Sequence, residues 1–114
     1  MEVKRGEIWW ASLLDPRGAE PGYRRPVVVV QADAFNRSAI KTVLCAAVTS
    51  NLGLAAAPGN IRLPARSSGL RKASVANVSQ LVTVDKRFMT ERVKALDAHI
   101  MAEVDEGLRL VMKL

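Results

Sequence analysis

The run Arg24-Arg25-Pro26-Val27-Val28-Val29-Val30 decides how the rest of the chain reads. Its β-branched residues follow one another without a polar break, the pattern of a strand buried on both faces. Pro26 pushes Arg25 towards extended geometry, so the strand starts where a loop ends. That loop, Asp15 to Arg24, is rich in turn formers, with Pro21-Gly22 suited to a tight turn, and reads as ten exposed residues. Upstream, Glu7–Leu13 holds Ile8, Trp9 and Trp10 and reads as a first strand, stopped by Asp15-Pro16-Arg17-Gly18. Downstream, Thr42–Val48 reads as a third strand, and Ala57-Pro58-Gly59-Asn60 as the turn before a short fourth, Ile61–Leu63. Ser74–Val78 and Leu81–Val84 read as strands five and six, and the mixed stretch Lys86–Leu96 is assigned to no element.

The period then changes. From Asp97, an N-cap residue type, Ile100, Val104, Leu108 and Val111 recur at helical spacing beside Met101 and Met112. Glu103, Asp105, Glu106 and Arg109 fall outside that stripe. The helix has roughly four turns, and Gly107 within it costs about 1 kcal/mol relative to Ala. The expected fold is mainly β with a C-terminal helix: a small β-barrel with a helical cap, one domain over residues 1–114. A core of this size makes dimerisation a simple way to bury more surface.

Composition narrows the function. Hydrophobic residues make up 49% and charged residues 25%, a globular balance. The longest apolar run, Val43–Val48, is far short of the ~20 residues that span a bilayer. One cysteine forms no internal disulfide, and no apolar signal core follows the N-terminus, so a cytoplasmic domain without a membrane partner is expected. The net charge is +6, all of it within residues 1–84, which hold eleven Lys/Arg against five Asp/Glu. No acid occurs between Asp33 and Asp85, whereas Arg37, Lys41, Arg62, Arg66, Arg71 and Lys72 do. Such a field attracts a polyanion, although a solvated basic face carries the same composition. With only five aromatics the chain is poor in stacking surface.

Candidate chemistry is sparse. No phosphate-binding glycine loop or zinc motif occurs, and no metal or cofactor is expected. Cys45 lies in an apolar strand and reads as a buried, inert thiol, while His99 falls on the predicted helix as a surface residue. Arg25, held where loop meets strand, presents a planar fork of donors to a phosphate. Spacing alone does not separate that role from a salt bridge to Asp15 or Glu20. Val48-Thr49-Ser50-Asn51 closes a strand with small polar groups able to bind a phosphate or to cap a turn. Asn77, Ser79 and Gln80 can read base edges or satisfy buried backbone.

These segments, in order, resemble the MazF/PemK toxins: Lys4-Arg5-Gly6-Glu7-Ile8-Trp9-Trp10-Ala11, Gly18-Ala19-Glu20, Arg25 to Gln31, Asp33, Val48 to Asn51, Pro58-Gly59-Asn60, Ser74 to Asn77, Gln80, Thr83 to Lys86 and Glu103 to Leu108. The resemblance runs from Lys4 to Leu110 and departs at Ala73, where relatives often carry an acid before the serine. It implies a homodimeric SH3-like barrel, the fold shared with CcdB, and a toxin of a type II toxin–antitoxin system. Such a toxin cuts single-stranded mRNA without a metal, leaves 2′,3′-cyclic phosphate and 5′-hydroxyl ends, and arrests translation and growth. It further implies a cognate MazE-like antitoxin whose flexible, often acidic tail lies along the RNA groove. The family's catalytic positions fall on Arg25 and Thr49, with Glu20 as a further contributor. RNA contacts are expected from Arg17, Arg24, Ser50, Asn51, Asn77 and Gln80. The alternatives are a CcdB-like gyrase poison, which acts through a C-terminal segment, and a non-catalytic SH3-like binding module.

Overall fold

The computed structural model describes residues 2–13, 18, 19 and 23–114. Six strands, β1 (Glu7–Ser12), β2 (Arg24–Val29), β3 (Thr42–Thr49), β4 (Ile61–Leu63), β5 (Ser74–Asp85) and β6 (Met89–Ala95), form one antiparallel sheet in the order β4-β5-β3-β2-β1-β6. One-turn helices α1 (Asp33–Asn36) and α2 (Ala65–Ser68) lie between strands, and α3 (Ala98–Met112) follows the sheet. The sheet curls into a half-barrel. Beyond edge strand β4, α2 ends in Gly69 at φ 77°, where a Cβ would stand 3.0 Å from Val93 and Lys94 of the other edge strand, β6. Lys94 Nζ donates to the Arg66 carbonyl at 2.6 Å, so this segment reaches from one sheet edge to the other.

Two expectations need correction. The fifth and sixth strands are one, because β5 runs unbroken from Ser74 to Asp85. Ala47 faces Asn77 but the adjacent Ala46 faces Leu81, so Val78, Ser79 and Gln80 form an excursion that bends the strand. The Val78 N–H in that excursion donates to Asn60 Oδ1 at 3.0 Å, and Asn60 Nδ2 donates to the Leu54 carbonyl. The unassigned stretch contains β6, an edge strand on which only Met89 is fully buried. An edge strand with so little buried surface has no apolar alternation to detect.

The valine run behaves as its composition requires. Val28 and Val30 enter a core with Ile8, Ala46, Val48, Leu63, Val78 and the α3 residues Ile100, Val104 and Leu108. Val27 and Val29 enter a second core on the other face with Trp9, Val43, Cys45, Val84 and Met89. Asp97 caps α3 by accepting from the Ile100 N–H at 2.9 Å. Val111 departs from the expected stripe and is exposed with Leu110, Met112 and Leu114. Asp105, expected outside, instead pairs with Arg5 at 2.7 Å.

Glu7 is a buried carboxylate beneath β1, in contact with Arg92, the Trp9 indole N–H (3.0 Å) and the Lys4 N–H (2.8 Å). Burial raises its pKa, but the Arg92 hydrogen bond, the Trp9 and Lys4 donors and the Arg92 charge together hold it below 4.5. A depressed carboxyl stabilises the fold above its unfolded pKa, and that contribution is lost as pH falls through the folded value. Glu7→Gln should therefore cost stability at neutral pH, with the gap to wild type shrinking as pH falls below about 4.5 and through the lowered folded-state value. Urea midpoints across that range check this.

Candidate active site

A cleft of about 380 Å³ opens where β3 ends and β2 begins. Trp10, Arg24, Arg25 and Pro26 line it from β1 and β2, and Val48, Thr49 and Ser50 from the end of β3. Leu70, Arg71, Lys72 and Ser74, leading into β5, complete it. Val27 faces Ala47 across β2 and β3; continuing that register by two residues sets Arg25 opposite Thr49. Side chains alternate between faces along a strand, so Arg25 shares a face with Val27 and Val29, and Thr49 with Ala47 and Cys45. Trp10, Arg24 and Val48 belong to the other face. The cleft at this end of the sheet thus takes groups from both faces.

Arg25 is half-buried, and its Nε is enclosed without a hydrogen-bond partner among the described residues. A buried donor that the described residues leave open is costly, and a ligand oxygen would satisfy it. The Thr49 Oγ1 accepts from the Asn51 N–H at 3.2 Å, which leaves the hydroxyl proton to be donated elsewhere. Arg24 stacks on the Trp10 ring, with its guanidinium carbon 4.3 Å from the ring centroid, and pairs with Glu91 at 3.2 Å. Four cationic side chains, Arg24, Arg25, Arg71 and Lys72, line the cleft, and none of the described lining residues is acidic.

Of the expected site residues, the structure brings together Arg24, Arg25, Thr49 and Ser50. Arg17 and Glu20 lie outside the described residues. Asn51 does not line the cleft; its Oδ1 accepts from the Gly53 N–H and caps the turn Leu52–Ala56. Asn77 and Gln80 do not line it either: Asn77 pairs with Ala47 and accepts from the Ser79 hydroxyl at 2.8 Å, and Gln80 lies in the β5 excursion. Trp10, Arg71, Lys72 and Ser74 were not expected there. The acid-free run around Arg71-Lys72 was the available signal for the two cations.

The other reactive side chains stand apart. Burial pushes the Cys45 thiol up to about 12, which keeps it protonated and inert. His99 is exposed on α3 beside Glu103. Among the described residues, no three His, Cys, Asp or Glu side chains converge where they would hold a metal ion. No helix of the described residues is long and apolar enough to cross a membrane.

Comparison with known proteins follows the same outline. The chain is 48% identical to the endoribonuclease MazF6 of Mycobacterium tuberculosis over 114 residues, all of both chains. A crystal structure of MazF from Deinococcus radiodurans superposes with a TM-score of 0.83 at 24% identity, covering 100% of this chain and 99% of that one. An endoribonuclease in complex with its cognate antitoxin, from a mycobacterial species, superposes with a TM-score of 0.73 at 18% identity, covering 99% and 95%. Residues 4–112 match the family of PemK-like, MazF-like toxins of type II toxin–antitoxin systems, and the chain belongs to that family.

Proposed function

We propose that this endoribonuclease of the PemK/MazF family cuts single-stranded mRNA at a phosphodiester held between Arg25 and Thr49, with no metal. The supporting observation is the buried Arg25 Nε, without an acceptor among the described residues, on a cleft that Arg25 shares with Thr49. The ribose 2′-oxygen attacks the adjacent phosphorus and loses its proton. The bond to the 5′-oxygen breaks, and that oxygen takes up a proton, leaving a 2′,3′-cyclic phosphate and a 5′-hydroxyl. Negative charge grows on the non-bridging oxygens, where a fixed guanidinium offsets it. The Thr49 hydroxyl donates a hydrogen bond to one of them. Arginine stays charged in this pH range, so its role is electrostatic. The family resemblance adds Glu20 to this proposal as a further contributor to the reaction.

The whole chain acts as one toxin domain in the cytoplasm, and an acidic segment of a cognate antitoxin suits the four cations of the cleft. A second copy suits the groove where Leu44, Met112 and Leu114, all exposed, meet Leu81 and Leu108. Light scattering should give a homodimer, and Met112→Glu with Leu114→Glu should shift it to monomer. An unchanged dimer would place the interface elsewhere.

The test of the reaction is incubation of the protein with a long single-stranded RNA in EDTA, followed by mapping of the new 5′ ends. Discrete cuts with 5′-hydroxyl ends are expected. Cleavage abolished by chelation would overturn the metal-free reading. Intact RNA with stalled gyrase supercoiling would instead favour a gyrase poison.

A further inference from the structure

We propose that the Arg24–Trp10 stack is a base-binding subsite, on which one nucleobase beside the scissile diester lies against the open face of the Arg24 guanidinium. This rests on reading the cleft as the RNA site. Trp10 is the one aromatic residue lining the cleft, and its ring is 4.3 Å from the Arg24 guanidinium carbon. Two further contacts frame the platform. Trp10 sits within the sheet opposite Pro26 on one side and Glu91 on the other, and the Glu91 carboxylate holds Arg24 Nη2 at 3.2 Å.

The position of the stack gives it a function beyond joining β1 to β2. An exposed ion pair contributes little to stability, and an exposed cation–π contact about 0.5–1 kcal/mol. Yet the Arg24 side chain keeps 52% of its surface open, on the wall of the cleft. A guanidinium plane backed by an indole presents a flat cationic surface of the kind on which unpaired bases stack. Alternation along the strands puts Trp10 and Arg24 on the face opposite Arg25. A nucleotide wrapped over the end of the sheet therefore offers its phosphate to Arg25 and a neighbouring base to Arg24. Because every base has a π-face, this subsite fixes position more than base identity.

The experiment uses the RNA sequence of a mapped cut, made uncleavable by 2′-deoxy substitution at the attacking ribose, with an abasic nucleotide placed at each position in turn. Dissociation constants are read by fluorescence anisotropy for wild type, Trp10→Leu and Arg24→Gln. Wild type should show one position near the cut where loss of the base weakens binding by roughly 5- to 100-fold. Both variants should lose that penalty there and keep the penalties elsewhere. Arg24→Gln, at an exposed side chain, carries the test if Trp10→Leu does not fold. Equal penalties in wild type and Arg24→Gln would overturn the subsite, as would the absence of any such position in an RNA that wild type cuts. A protein that binds and cuts no single-stranded RNA would instead overturn the reading of the cleft itself.

Discussion

Replacing Arg25 by Ala is expected to slow RNA cleavage by about 10²–10³-fold at saturating substrate, the loss typical when one preorganised donor to a developing oxyanion is removed. The loss should fall mainly on kcat, because Arg71 and Lys72 still line the cleft as cations suited to the RNA backbone. Arg25→Lys keeps the charge but lacks the planar fork, so it should recover only part of the rate. Thr49→Val should cost less than Arg25→Ala, since it removes one donor to the phosphate and leaves the guanidinium in place. Folding should be little affected by Arg25→Ala, because its Nε contributes no hydrogen bond within the described residues. A rate within a few-fold of wild type would remove Arg25 from the reaction. An equal loss in RNA affinity would make it a binding residue only.

Gly107→Ala carries the largest expected effect on stability, and two physical arguments give it opposite signs. Helix propensity alone says that Ala in the middle of α3 gains about 1 kcal/mol over Gly. The packing says otherwise. A Cβ on Gly107 would lie 2.1 Å from the Gly59 carbonyl oxygen and 3.1 Å from the Ile61 side chain. Gly59 itself sits at φ +81°, and a Cβ there would meet the Gly107 carbonyl at 3.1 Å. Helix and turn thus meet backbone to backbone, with no flexible side chain to give way. Forcing them apart should cost about 3 kcal/mol or more, a fall in melting temperature of roughly 10 °C or more for a domain of this size. Thermal unfolding followed by circular dichroism decides, and a higher melting temperature for the variant would show that the helix tolerates the methyl group.

That glycine illustrates where the sequence is legible. In sequence Gly107 is a helix weakener, because its partner Gly59 lies 48 positions away and nothing local marks the crossing. The valine run was readable because burial on both faces leaves a signature within a few residues, and α3 because its apolar period and its Asp97 cap are local too. The β5 excursion was read as a gap, since Ser79-Gln80 interrupts the apolar pattern whether a strand ends or bends there. At the cleft, Arg25 and Thr49 were legible as polar residues at the ends of apolar strands, one opening β2 and the other closing β3. Trp10 was not, because adjacent tryptophans on one strand look alike until the two faces are known: Trp9 enters the core, while Trp10 turns to the cleft. Asn77 and Gln80 have the side chains of base readers, but they are not among the residues that line this cleft.

The most direct test of the role given to Arg25 replaces one non-bridging oxygen of the scissile phosphate by sulfur and compares the two diastereomers in EDTA under single-turnover conditions. A guanidinium bound to one particular oxygen predicts that wild type cuts one diastereomer much more slowly than the other, and that in Arg25→Ala both are cut slowly and the difference shrinks to what the Thr49 hydrogen bond leaves. If the difference between diastereomers survives unchanged in Arg25→Ala, the charge on that phosphate is stabilised by another group.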